Sequence, residues 1–311
     1  CAIMKLHEQG KLSLDDESSN YLDEDELTEV LSEVDLETKE YSTKPLSKKP
    51  TIKNLLNHTS GYGYRFSNHT LRSICKMDET EFSLLHKPGE KWTYGASTKI
   101  LGDLLSKVEG EDLEQSLKRL VLDPLGMNET SFFLDQRKSE RLMPMHGTNN
   151  FNELISLKQK DLVVVDIEKT HPSEGLNIHE RGGGGLFSTV KDYQLFCKFL
   201  LDRMDKEGTP LISSMMHNFM LKNRIQKNLL PLKLGPRLLD GYGWNLIGRV
   251  MIDSGQAMSL TNNGEFGWAG AATTFFWLDI EKSLSGVMMT QYAGRDLNLA
   301  NEFRAASYSA I

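Results

Sequence analysis

Positive charge, cysteine and long apolar runs are all in short supply in this chain of 311 residues. Lys and Arg total 36 against 43 Asp and Glu, giving a net charge of −7. That balance lacks the positive field that draws nucleic acid or an anionic membrane, so no nucleic-acid partner is expected. No apolar run approaches the roughly 18 residues that suggest a spanning helix, so no transmembrane segment is expected. Cys1, Cys75 and Cys197 are odd in number and widely spaced, which argues against a disulfide framework and a zinc ribbon. All three read as free thiols, packed as small hydrophobes. None of the eight histidines, His7, His58, His69, His86, His146, His171, His179 and His217, makes His-Glu-x-x-His or another ligand spacing. No metal and no cofactor is therefore expected. The absence of a Gly-x-Ser-x-Gly elbow counts against an α/β-hydrolase.

What remains is an ordinary globular composition. With 39% apolar residues the chain can bury a large core, as one large or two moderate domains. Residues 2–9 have the apolar spacing of a helix end, and Gly10 supplies a stop. The charged stretch from Asp15 to Lys49 reads as a solvated surface excursion. Leu101 to Val108 and Leu113 to Val121 carry helical periodicity, separated by Gly110 and followed by the break Asp123-Pro-Leu-Gly-Met127. Gly182 to Gly185 form the one glycine run, read as a flexible hinge between lobes. Thr189-x-x-Asp192 then caps a helix to about Leu201. Beyond Pro236, four short runs (Tyr242 to Val250, Ala257 to Leu260, Thr273 to Leu278, Val287 to Tyr292) are separated by turn signals, as in an antiparallel meander. Asn298 to Ile311 reads as a closing helix. The expected class is α+β in two lobes, with residues 1–20 and 186–311 as the sheet-bearing lobe and 21–185 as a mainly helical one.

Two stretches hold candidate chemistry. Acyl transfer through a serine needs a base and donors for the developing oxyanion. Tyr94, in Trp92-Thr-Tyr-Gly-Ala-Ser97, supplies a base if nearby groups stabilise the phenolate, since an unperturbed phenol titrates near pH ~10. From the residues alone the favoured reading is an aromatic at the turn that follows Pro88-Gly-Glu. Gly264, Gly267 and Gly270 around Trp268 mark either a strand that lets a substrate approach its backbone or a bulge. Two internal Ser-x-x-Lys matches, Ser73–Lys76 and Ser188–Lys191, read as coincidences. Ser188-Thr189 fits a capping position, and no apolar helix follows Ser73.

Taken in order, Leu55-Leu-Asn-His-Thr-Ser-Gly61, Pro88-Gly-Glu-Lys-Trp92, Tyr94-Gly-Ala, Asp123-Pro-Leu-Gly-Met127, the glycine run with Ser188-Thr189, and Gly267-Trp-Ala-Gly-Ala-Ala272 through Thr290-Gln291 resemble the β-lactamase-related serine hydrolases. Within that superfamily the sequence is most similar to the family VIII carboxylesterases. The resemblance implies a β-lactamase/transpeptidase-like fold, an antiparallel sheet flanked by helices plus a mainly helical lobe. It makes Tyr94 the general base or proton relay and the backbone N–H of Ala271 one oxyanion donor. Trp268, Ala269, Gly270 and Ala96 would line the substrate site. In that family a helix begins with Ser-x-x-Lys and runs on to Glu-x-Gly-Lys-Leu. Here Glu8-Gln-Gly-Lys-Leu12 arrives so early that the serine and lysine would lie roughly eight and five residues before Cys1.

The departures shape the expectation. Ala96 stands where β-lactamases have an amide side chain, and Trp268 replaces a lysine that engages a substrate carboxylate. Ala269 occupies a position where the esterases usually carry glycine. A carboxylesterase acting on short acyl esters through an acyl-enzyme is therefore the leading expectation for the parent protein, with a small-molecule ester or amide as its partner. This chain alone is expected to lack turnover, because its nucleophile is missing. A β-lactamase or D-alanyl-D-alanine peptidase-like enzyme, and a non-catalytic binding or scaffold homologue, are the alternatives. Oligomeric state is left open. The cytoplasm is slightly favoured as compartment, and the missing start leaves a signal peptide open.

Overall fold

A computed structural model describes residues 1–22, 29–75, 83–149, 153–156, 180–293 and 298–311. The chain opens in helix α1 (Ala2–Glu8), which buries Ala2, Ile3, Met4 and Leu6 and stops at Gly10, whose φ of 72° is the left-handed conformation glycine tolerates. The short helix α2 (Ile52–Leu56) starts from a reciprocal capping box between Thr51 and Asn54. Helix α3 (Ser97–Glu109) buries Leu101, Leu104 and Leu105 and ends at Gly110, again left-handed. Helix α4 (Val190–Asp202) begins at the expected cap, with Thr189 Oγ1 accepting from the Asp192 N–H. Helix α5 (Ser214–Leu221) follows, and α6 (Leu299–Tyr308) closes the chain as expected.

The main sheet is a five-stranded antiparallel meander. Its strands are β1 (Tyr242–Trp244), β2 (Arg249–Met251), β3 (Phe266–Ala269), β4 (Phe275–Asp279) and β5 (Leu284–Met288), neighbours in sequence being neighbours in space. Register sets Trp268 opposite Phe276 and Gly267 opposite Trp277. Gly267 permits that pairing, because a Cβ there would fall 2.1 Å from the Phe276 carbonyl oxygen. Gly286 similarly leaves room for the fully buried Trp277 indole. The apolar core joins Met4, Leu6, Leu55, Leu104, Phe199, Leu200 and Phe266, drawing on α1, α2, α3, α4 and the sheet together. Each such large side chain contributes roughly 1.5–3 kcal/mol by leaving water.

Three expectations for the meander are corrected. The last run, Val287 to Tyr292, shares only Val287 and Met288 with β5. The run Tyr242 to Val250 folds back on itself as β1 and β2, because the Asn245 side chain accepts from the Ile247 and Gly248 N–H groups and closes a turn. Ala257 to Leu260 is not a strand. Asp253 caps a short helical turn over Ser254–Ala257, accepting from the Gln256 N–H, and Met258 then turns left-handed and lies exposed. The local hydrogen bond of an aspartate outweighs the weak strand propensity of four residues.

Within the charged excursion, Glu29–Val34 pairs with Tyr41–Pro45 in a mostly exposed hairpin. The glycine run is a packed turn. A Cβ on Gly182 would lie 2.0 Å from the Thr98 carbonyl oxygen, and one on Gly102 would lie 2.9 Å from Gly182, so the run presses on the first turns of α3. Close backbone contact, not hinge freedom, accounts for glycine at position 182.

Cys1, Cys75 and Cys197 are free thiols, the latter two buried. Burial pushes the Cys197 thiol up to about 12, which keeps it protonated and inert. No helix among the described residues is long and apolar enough to cross a membrane. Among the described residues, no group of three or more His, Cys, Asp or Glu could hold a metal ion; His171 and His179 lie outside them.

Candidate active site

Tyr94 sits in the loop that enters α3, and four contacts hold that loop to its surroundings. The Thr93 N–H donates to the His58 carbonyl at 2.8 Å, and the Thr93 hydroxyl meets His86 Nε2 at 2.9 Å. Ser67 Oγ donates to the Tyr94 carbonyl at 3.2 Å. The hydroxyls of Ser97 and Ser60 meet at 2.7 Å. Gly95 is required between them, since a Cβ there would fall 2.0 Å from the Tyr62 carbonyl oxygen. The loop is thus a rigid mount for one phenol.

Around that phenol the fold gathers aromatic rings from four segments. His58 lies 4.8 Å from the Tyr94 ring centroid, Trp268 5.1 Å, Tyr64 5.8 Å and Trp244 6.2 Å. Trp244 and Trp268 meet edge to face at 4.6 Å, and Trp92 packs on Trp244 at 5.4 Å. The Trp244 backbone is held from behind, its amide N–H donating to Asn223 Oδ1 at 3.1 Å and its carbonyl accepting from the Arg224 amide N–H at 2.7 Å. His58 is buried with φ of 56°, and its Nδ1 has no hydrogen-bond partner among the described residues. Burial pulls its imidazole down to about 3, so the ring is neutral.

The decisive contact joins this cluster to the sheet. Trp268 Nε1 donates a hydrogen bond to the Tyr94 hydroxyl at 3.0 Å. Beyond Trp268, Ala269, Gly270 and Ala271 are exposed. The tip of this hairpin is closed by Gly270 N–H to Thr274 O at 2.8 Å and tied to the segment after β5, where Thr290 Oγ1 donates to the Ala272 carbonyl at 2.7 Å and Thr273 Oγ1 to the Tyr292 carbonyl at 2.9 Å. Gly270 is needed in that turn, since a Cβ would meet Thr274 Oγ1 at 2.2 Å. The Ala271 N–H donates to no acceptor among the described residues. An exposed, fixed backbone donor is the kind of group that binds an oxyanion.

Tyr94 and Trp268 are thereby brought into direct contact, with Ala269, Gly270 and Ala271 following on the same strand end. Ala96, the residue before α3, is half-buried against the main core. Ser188 is occupied structurally: its hydroxyl meets Thr130 Oγ1 at 2.8 Å, and Thr130 in turn donates to Asp192. Ser73 donates to the His69 carbonyl within its own helix, and Lys76 lies outside the described residues.

The sequence matches the family described as Beta-lactamase over residues 1–309. The chain belongs to that family. The Mycobacterium tuberculosis protein Rv1367c is 27% identical over 94% of this chain and 74% of its own length. The lovastatin esterase of Penicillium rubens is 24% identical over 92% of this chain and 75% of its own. Among solved structures, EstCE1, described as a hydrolase with promiscuous acyltransferase activity, superposes with a TM-score of 0.72 at 22% identity, covering 99% of this chain and 81% of its own. The chain has the β-lactamase/transpeptidase-like fold, in a family of serine hydrolases and acyltransferases.

Sequence reasoning did not single out His58 or Trp244 as neighbours of Tyr94. They come from the end of α2 and from β1, and only tertiary packing joins them. One local signal existed: Leu-Leu-Asn-His-Thr-Ser-Gly puts a large ring at a helix end where the chain must turn left-handed, a strained choice unless that ring is held.

Proposed function

We propose that the parent protein is a serine carboxylesterase that cleaves short, uncharged acyl esters through an acyl-enzyme. In this reading the nucleophile is the serine of a Ser-x-x-Lys motif placed before Cys1, and turnover requires it. Tyr94 relays the proton: as the phenolate stabilised by the lysine of the same motif, it takes the serine's proton as the serine oxygen attacks the acyl carbon, then, as the phenol, gives that proton to the departing alkoxide and is a phenolate again. The Ala271 N–H is one of two donors to the oxyanion. Water or an alcohol then attacks the acyl-enzyme, and the proton returns along the same path to regenerate the serine.

One observation carries this reading: the Tyr94 hydroxyl takes the N–H of Trp268 at 3.0 Å. An indole has a single N–H. With that hydrogen directed at Tyr94, Trp268 offers a substrate only its apolar surface, and a carboxylate there would be desolvated without a partner. Ala96 likewise offers no amide to a substrate. Both features favour neutral esters over penicillins and cephalosporins. The esterase named among the relatives, and the hydrolase with acyltransferase activity among the solved structures, support the same chemistry.

The test is a substrate panel with the protein extended upstream through Ser-x-x-Lys: p-nitrophenyl acetate, butyrate and octanoate beside nitrocefin. The expected result is turnover of the short esters with a kcat/KM at least about a hundredfold above nitrocefin, a gap of roughly 2.7 kcal/mol in transition-state binding. Faster nitrocefin turnover would replace this reading with a β-lactamase. Turnover of nothing would replace it with a non-catalytic homologue.

A further inference from the structure

We infer that Trp268 is a positioning residue for Tyr94, acting through its indole N–H on the phenol's proton transfer and not on the grip of the substrate. This rests on the proton-relay reading of Tyr94 above. The geometry that points to it is the 3.0 Å bond from Trp268 Nε1 to the Tyr94 oxygen, made between two residues that are each braced independently. Trp268 is set by the β3–β4 register and by the edge of Trp244, and Tyr94 by a loop held through Thr93, Ser67 and Ser97.

A phenol oxygen rotates its hydrogen freely and presents two lone pairs. An N–H fixed on the oxygen occupies one acceptor direction and so restricts how the O–H can be oriented. The bond also becomes stronger as negative charge develops on the oxygen, because a charged acceptor roughly doubles a hydrogen bond's strength. Both effects fall on the step in which Tyr94 holds or releases a proton. Neither touches the binding of a neutral ester. A neutral donor does this without adding a cation to the cleft, so the site gains the hydrogen bond without attracting substrate anions.

The test replaces Trp268 in the upstream-extended protein by benzothienylalanine, which keeps the bicyclic shape and puts sulfur where the N–H was, with Trp268→Phe as a second variant. With p-nitrophenyl butyrate, kcat is expected to fall about tenfold in the isostere while KM stays within about twofold, the size expected for one hydrogen bond. Tyr94→Phe is expected to lower kcat by at least about a hundredfold, and in that background the isostere should change nothing further, since a residue acting through Tyr94 has no effect once the hydroxyl is gone. A rise in KM with kcat unchanged, or an equal loss of kcat in the Tyr94→Phe background, would overturn the inference.

A second readout does not depend on turnover. The indole N–H resonance of Trp268 in the 311-residue chain should shift when Tyr94 becomes Phe. An unmoved resonance would contradict the bond itself. An inactive wild-type extended protein with a shifted resonance would instead sink the esterase reading while leaving the bond in place.

Discussion

The hydroxyls of Ser60 and Ser97 lie 2.7 Å apart, and both residues are completely buried. One belongs to the turn after α2 and the other is the first residue of α3, so this contact is one of the four that fix the Tyr94 loop. Removing the Ser97 hydroxyl leaves buried Ser60 Oγ with only the Tyr62 N–H, at 3.3 Å, as a partner. Ser97→Ala is expected to cost about 1–3 kcal/mol, and the Ser60→Ala, Ser97→Ala double variant less than the sum of the two singles. Urea unfolding of the three variants checks this, and strictly additive losses would mean the pair is not coupled.

The glycine run makes a graded prediction. Gly182 lies against Thr98 and Gly102, whereas a Cβ on Gly184 would meet nothing within 4 Å. Gly182→Ala should therefore destabilise by about 1–3 kcal/mol through overpacking, and Gly184→Ala by less than about 0.5 kcal/mol. Thermal melts of the two side by side separate packing from hinge flexibility, because a hinge would feel both substitutions alike.

His58 gives stability a pH dependence of known sign. Its folded-state value is depressed to about 3 by burial, below the ordinary value of 6.5. The unfolded chain therefore binds the proton first. The neutral ring's contribution is fully present above about pH 6.5 and is lost as pH falls from there towards 3, at up to about 1.4 kcal/mol per pH unit. His58→Asn, which tolerates the same left-handed backbone, should flatten the stability profile across that window relative to the wild type. Parallel profiles in the two proteins would show that the imidazole is not buried neutral.

Beneath α6 the sheet holds a buried ionic group. Arg304 reaches Glu265 at 3.3 Å, Tyr242 at 3.1 Å and Ser259 at 2.7 Å, and Arg249 approaches Glu265 at 3.5 Å. Glu265 is completely buried. Glu265→Leu leaves two arginines without their carboxylate and should cost about 3–5 kcal/mol, the penalty of an uncompensated buried charge. Chemical denaturation measures it, and a change below about 1 kcal/mol would mean water already reaches the cluster.

Much of this fold was legible locally. The stop at Gly10, the caps at Thr189 and Gly110, and the closing helix each depend on residues within one turn of one another, so short-range chemistry decides them. Strand boundaries were less so. Ala257 to Leu260 has the texture of a strand, yet Asp253 satisfies a helical turn just before it, and only the Asn245 turn explains why Tyr242 to Val250 is two strands. At the site, Tyr94 and Trp268 could be named from their motifs. Their hydrogen bond spans 174 positions, and the arrival of His58 and Trp244 around them likewise depends on contacts that no window of sequence contains.

The central claim is that an acyl-enzyme forms on a serine upstream of Cys1 with Tyr94 as its proton relay. Its most direct test is hydrolysis of p-nitrophenyl butyrate by the 311-residue chain beside the protein extended through Ser-x-x-Lys, with the acylated residue located by mass spectrometry after rapid quenching. The account predicts turnover only in the longer protein and a butyryl group on the upstream serine. Turnover by the shorter chain, or a butyryl group on any serine within residues 1–311, would contradict it.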